Sequence, residues 1–280
     1  MQLPKAFIFG AGSTGRGLLP IVSRKYQVIG FIDNNRAMIG RGFNDICVYG
    51  PEVIHPEENH VIIIGSHPGL HVIKNQLLDM GVKLENIDDS FVLVHSKARV
   101  LFLESLGKFF DKSDIAGCVA EGGVFQGEFA TEINRVFPKS KLYLFDTFSG
   151  FDSRDTDFDK QANFSKFEEG HLNLTSEDMV TSKLAYPENC IICKGYFPET
   201  TTGIDEVFCF VNLDFDLYQP TLAGLEYFIP RMVKDGVILV HDYFSDGYKG
   251  VEQAIKDFEA KAGKLRLCPI GDGISIAILC

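Results

Sequence analysis

Twice in this chain a short apolar run breaks into a glycine-rich turn and then a helical pattern, and no other feature restricts the fold as much. The first copy is Ala6–Phe9, then Gly10-Ala11-Gly12-Ser13-Thr14-Gly15, then a helical stretch from Arg16 to Lys25. The second is Gly117–Glu121, then Gly122-Gly123-Val124-Phe125-Gln126-Gly127, then a helix from about Glu128 to Phe137. A strand followed by a helix and another apolar strand is a βαβ unit, and its strands pair in parallel across the helical crossover. Gln27–Ile32, ending at Asp33, and Lys141–Phe145, ending at Asp146, are the returning strands. The expectation is an α/β chain of two doubly wound domains, residues 1–97 and 98–280. A length of 280 residues suits that number.

The remaining pattern fits this plan. Val61–Ile64 reads as a third strand, and Leu70–Met80 as a helix closed by Gly81 in the C′ position. Val100–Phe110 is amphipathic and reads as a connecting helix. Ile191–Lys194, Val207–Leu213, Gly236–Val240 and Ile274–Leu279 are further strands, with helices at Thr221–Met232 and Gly250–Ala262. The turn Gly271-Asp272-Gly273 suggests that the last strand runs antiparallel. Residues 151–172 are polar, weakly periodic and rich in Asp and Phe. Such long connections are often lids, here with Phe151, Phe158, Phe164 and Phe167 to close over a substrate or to staple the segment down.

Charge and composition exclude several functions. The net charge is −11, and residues 1–97 are balanced, with nine basic and nine acidic residues, so the whole excess lies in 98–280. A nucleic-acid partner needs a basic stripe to displace counterions, and neither part has one. There is no apolar run of membrane-spanning length and no pattern of a signal peptide. Seven scattered cysteines suit a reduced, cytoplasmic setting. Cys190 and Cys193 form a C-x-x-C on a strand, where residues three apart face opposite ways, so a shared metal is not expected.

In the first domain Gly10, Gly12 and Gly15 match G-x-G-x-x-G, with Asp33 at the distance of a ribose-binding acid. The helix N-terminus attracts an anion. The motif admits NAD, a nucleotide-sugar, or glycines that only shape the turn. Phe31-Ile32-Asp33-Asn34-Asn35 resembles the N-terminal nucleotide-binding domains of sugar-modifying and polysaccharide-biosynthesis proteins.

In the second domain five segments follow in order: Glu121–Gly127, Leu144–Phe151, Lys194–Thr200, Asn212–Thr221 and Val240–Tyr243. Together they resemble the S-adenosylmethionine-dependent O-methyltransferases of the macrocin type, which methylate sugar hydroxyls. The resemblance implies a Rossmann-like, class I methyltransferase sheet of seven strands. It implies a cofactor site at Glu121, Gly122, Gly123 and Gly127, with Asp146 on the ribose diol and Thr147 and Phe148 beside it. It also implies magnesium, held by Asp214 and by an acid pair after the fifth strand. Here that pair reads His241-Asp242. Imidazole suits zinc, iron or nickel better than magnesium, so a metal at Asp214, His241 and Asp242, His241 acting as base, and a metal-free site all stay open. Asp216 is expected to be a solvated turn acid. His171 lies near where the family carries a catalytic histidine and is the other candidate base.

The leading expectation is methyl transfer to a hydroxyl of a small, sugar-containing metabolite, by a homo-oligomer without nucleic-acid or membrane partners. The alternatives are an NAD(P)- or nucleotide-sugar-dependent oxidoreductase run from Gly10–Gly15, and a non-catalytic nucleotide-binding protein.

Overall fold

The computed structural model describes residues 3–66 and 69–280. They divide into two compact units between Lys97 and Ala98. The first contains β1 (Lys5–Phe9), α1 (Ser13–Val22), β2 (Gln27–Ile32), β3 (Gly42–Phe43), β4 (Ile46–Tyr49), β5 (Val61–Ile64), α2 (Leu70–Asp79) and β6 (Ile87–Asp88). The sheet order is β3-β4-β2-β1-β5-β6. All neighbours are parallel except the β3–β4 hairpin. Ala6 and Ile8 pack with Leu18, Leu19 and Val22 of α1, whereas Phe7 and Phe9 pack with Ile73 and Leu77 of α2. The alternation along β1 thus covers both faces of the sheet. His67 and Pro68, which the sequence places after β5, lie outside the described residues.

α3 (Ser90–Ser113) starts ten residues before the expected Val100. The second unit continues with β7 (Cys118–Gly122), α4 (Glu128–Val136), β8 (Leu142–Asp146), α5 (Ser153–Gln161), α6 (Glu177–Thr181), β9 (Cys190–Lys194), β10 (Phe208–Leu213), α7 (Tyr218–Phe228), β11 (Met232–Val240), α8 (Lys249–Ala262), β12 (Leu267–Pro269) and β13 (Ile276–Leu279). Its seven strands run β12-β13-β11-β10-β7-β8-β9. β13 is antiparallel to both neighbours and the other pairs are parallel. Leu103, Leu106, Ala130 and Ile133 cover one face, and Leu225, Phe228, Val251 and Ile255 the other. Cys190 packs on the first face and Cys193 on the second, so the C-x-x-C does not converge.

The chain leaves β7 for β8 and β9 on one side, then returns to β10 on the other. That reversal places the topological switch point at the carboxyl ends of β7 and β10, the position where open α/β sheets bind ligands. α7 stops at Phe228 rather than at Met232, because Pro230 lacks an N–H and restricts the residue before it.

In the first unit, a Cβ on Gly15 would lie 1.8 Å from the Gly10 carbonyl oxygen, whereas one on Gly12 would meet open space. Gly15→Ala is therefore expected to destabilise the protein by roughly 2–4 kcal/mol. Gly12→Ala should change stability by less than about 1 kcal/mol. Chemical denaturation of the full chain checks this, and equal effects of the two substitutions would contradict it.

Candidate active site at the carboxyl edge of the second sheet

The acid ending β8 holds the edge together. Asp146 Oδ2 accepts hydrogen bonds from the backbone N–H groups of Val124 (2.7 Å) and Phe125 (2.9 Å), and Oδ1 accepts from Phe148 (2.7 Å). The glycine turn after β7 and the turn after β8 are thus tied to one carboxylate. With two acceptor sites on each oxygen, Oδ2 is filled and Oδ1 keeps one. The two-oxygen clasp of a ribose expected from the sequence becomes a single available hydrogen bond.

The glycines of the turn are explained largely by packing within the chain. Gly123 has φ +80°, and a Cβ there would lie 2.0 Å from the Asp214 carbonyl oxygen. Gly122 backs onto the Phe215 ring and Gly127 onto Val180. Thr147 donates its hydroxyl to the Gly150 carbonyl, and the Phe148 ring is buried in the core. Thr147 and Phe148, expected beside the cofactor, therefore serve the turn. For Phe148 the reason is plain: its apolar ring takes the dry side and leaves only its N–H at the edge. Phe125, Phe148, Asp216 and Asp242 all have φ between +48° and +65°, one after each of β7, β8, β10 and β11. Strained positions gather at functional sites, and here they line one edge.

β7 and β10 deliver a buried polar relay. Glu121 is 2% exposed. Its Oε1 accepts from Asn212 Nδ2 at 2.9 Å, while Oε2 has no partner. Burial, reinforced by Asp214 and Asp146, pushes its carboxyl well above the usual range, against the opposing pull of Arg99 and Asn212. Arg99, from α3, donates through Nη2 to Asn212 Oδ1 (2.9 Å) and Asp214 Oδ2 (2.8 Å). Its guanidinium stacks over Phe129 at 3.9 Å, and its Nε is buried without a partner.

Asp214, Asp216, His241 and Asp242 come together, with ligand-type atoms all within 4.8 Å of one another. His241 Nδ1 lies 2.9 Å from Asp214 Oδ1 and 2.5 Å from Asp242 Oδ2. Burial works against a charged imidazole, but Asp214 and Asp242 outweigh it and raise His241 to about 10. Burial likewise opposes ionisation of Asp214, yet His241 and Arg99 hold that carboxyl well below its ordinary value. Asp216 is pushed well above its usual range by burial and then by Asp242 and Asp214. The structure thus corrects the view of Asp216 as a solvated acid, because the turn after β10 folds it back onto the cluster.

The donor set does not fit magnesium. Both oxygens of Asp214 are engaged by cationic side chains, and the nitrogen at position 241 is a donor that magnesium disfavours. The two carboxylates at Nδ1 favour the protonated imidazole of His241, which works against a role as base.

His171 sits apart from the acids. It stacks on Phe167 with ring centroids 4.4 Å apart, and Phe167 stacks on Tyr248 at 4.9 Å. Burial lowers its pKa. Tyr248 is raised by burial and then by Asp216, Asp242 and Asp214, which places this aromatic stack beside the carboxylate cluster. The expected lid contains α5, capped by Asp152, whose side chain accepts from the Arg154 N–H. It docks through acids: Asp155 accepts from the Tyr196 hydroxyl at 2.7 Å, and Asp159 from the Tyr218 N–H at 3.2 Å. Phe158 and Phe164 pack on Tyr218.

In the first unit Asp33 makes the same kind of clasp as Asp146, accepting from the Ala11 and Asn35 N–H groups at 2.8 Å each. Gly10 backs onto Gly65 and Ser66 after β5, Gly15 backs onto the Gly10 carbonyl, and Gly12 alone of the three faces open space.

The profile of the macrocin O-methyltransferase (TylF) family matches residues 92–266. The chain belongs to that family. Residues 2–87 match the N-terminal domain of C2185-like proteins. The solved structure of the O-methyltransferase NovP superposes with a TM-score of 0.54 at 18% identity, covering 65% of this chain and 79% of NovP. That of CalS11, a calicheamicin methyltransferase, gives 0.53 at 18%, covering 76% and 86%. At these identities the likeness shows the fold, a class I methyltransferase α/β unit. No curated protein matches the chain. Among the described residues no helix is long and apolar enough to cross a membrane.

Asn212, Arg99 and Tyr248 were not singled out by the sequence. Asn212 stands two residues before Asp214, a position that signals it. Arg99 is 115 residues from Asp214, and no local pattern reveals that pairing.

Burial raises Asp155 and Asp159 each to about 6. A carboxyl with a raised folded pKa favours the folded state at low pH, and that advantage is lost as pH rises from about 4 through 6. The docking of α5 is thus expected to weaken by on the order of 1 kcal/mol between pH 4.5 and 7, after allowance for solvent screening. Hydrogen exchange of the α5 amides, corrected for intrinsic rates, measures it. Asp159→Asn should flatten the dependence, and exchange that slows with rising pH would refute the assignment.

Proposed function

We propose that the second unit transfers the methyl group of S-adenosylmethionine to a hydroxyl of a small, sugar-containing metabolite. The observation that carries this reading is the strand-reversal edge, where the β7 glycine turn and the β8 acid are held together with one acceptor site of Asp146 left for a ribose hydroxyl. Two buried polar atoms in the same network, Glu121 Oε2 and Arg99 Nε, also lack partners that a bound polar group supplies. Membership of an O-methyltransferase family supports the reaction type.

Methyl transfer is an in-line displacement. The acceptor oxygen forms a bond to the methyl carbon, and the carbon–sulfur bond breaks with its electron pair left on sulfur. Most of the rate comes from holding oxygen, carbon and sulfur in line. The hydroxyl proton passes to a base. His241 Nδ1 meets two carboxylates that favour its protonated form, whereas burial lowers His171 and favours its neutral form. These opposite shifts favour His171 over His241 as the base. Phe167, stacked on His171, and Tyr248, stacked on Phe167, would give an acceptor an apolar wall suited to a sugar ring.

Calorimetric titration with S-adenosylhomocysteine tests the cofactor. One site per chain is expected, weakened at least about tenfold by Asp146→Ala, the scale of one lost hydrogen bond from a charged acceptor. Asp146→Asn keeps the shape but turns one acceptor oxygen of the clasp into a donor, so it should weaken binding as well. Unchanged affinity in both variants would contradict the reading. An NMR titration of His171 should show a midpoint below 6.5. A midpoint above that value would remove His171 as the base.

A further inference from the structure

Three carboxylates of Asp214, Asp216 and Asp242 share a space under 5 Å across with His241. Acids this close in a partly buried edge repel one another as they ionise unless cations stand beside them. The structure supplies two. Arg99, a permanent cation, reaches Asp214 Oδ2 at 2.8 Å from a side chain only 12% exposed, and the Phe129 ring backs its guanidinium. The His241 imidazole bridges Asp214 Oδ1 and Asp242 Oδ2. Each oxygen of Asp214 is thereby matched to its own cationic donor.

We propose that Arg99 and His241 are fixed counter-cations of this cluster, standing where related chemistry uses a divalent ion, so that the site operates without one. Arg99 is then a positioning residue: it anchors Asp214 and, through Asn212, connects the cluster to Glu121. A metal ion placed between Asp214 and Asp242 would displace the imidazole from both and would sit against a guanidinium bonded to one of its own ligands. This inference rests on the methyltransferase reading for its role, but its physical content is the charge balance of the cluster.

The test uses the full chain, stripped with a chelator, and Mn2+ followed by electron paramagnetic resonance, which reads bound and free ion without any activity. Wild type is expected to leave the free Mn2+ signal unchanged at about 1 mM ion. His241→Asp, and separately Arg99→Met, should gain one site per chain, at least about tenfold tighter than any wild-type binding. Arg99→Lys, which keeps the charge, should not gain it, and this rescue separates a counter-cation from a merely structural residue. Because Arg99→Met risks misfolding, His241→Asp at the cluster's edge keeps the test decisive. One Mn2+ bound per wild-type chain and lost in Asp214→Asn would overturn the proposal. So would Zn2+ bound in the same way, detected by competition. S-adenosylhomocysteine titrated alongside judges the methyltransferase reading separately: failure there leaves the Mn2+ result to stand or fall alone.

Discussion

One carboxylate, that of Asp146, fixes the geometry of the whole carboxyl edge. It takes two N–H groups from the turn after β7 and one from the turn after β8. Hydrogen bonds to a charged acceptor are worth about 1.5–3 kcal/mol each, and three of them hold turns containing residues at positive φ. Phe125 and Phe148 adopt backbone conformations that L-residues avoid, and both donate to this acid. Without the clasp the two turns have little reason to stay strained. Asp33 repeats the arrangement in the first unit. In both sheets, then, the acid at the end of the second strand organises the glycine turn of the first before any ligand is considered.

A second balance is electrostatic. Asp214 and Asp216 follow β10 and Asp242 follows β11, and these turns crowd the three acids together. The fold answers with a guanidinium from α3 and an imidazole from the acids' own edge. Histidine at 241 meets two of these acids through Nδ1, where a further carboxylate would add repulsion. Tyr248, the end of the stack with Phe167 and His171, is the ring of that stack that feels these acids.

Much of the architecture was legible in the sequence because it rests on short-range pattern. Strands buried on both faces show as apolar runs, as at Val61–Ile64 and Phe208–Leu213, and the glycine turns mark where they end. β3, β6 and β12 are two or three residues long and carry no periodicity to find. α5 was missed for a related reason. It buries Asp155 and Asp159 against Tyr196 and Tyr218, so its inward face is polar and shows no apolar stripe. At the site, Asp146, Asp214 and Asp242 were legible because each ends or follows a strand. Asp216 and Arg99 were not. Their roles come from a turn that folds back and from a helix more than a hundred residues away, and both are tertiary facts.

The most direct test of the account is hydrogen exchange of the full chain with and without S-adenosylhomocysteine. The account expects protection at residues 121–127 and 146–150, the two turns that Asp146 joins, with the first unit unaffected. Protection confined to residues 10–15, or none at the second sheet under saturating ligand, would contradict it.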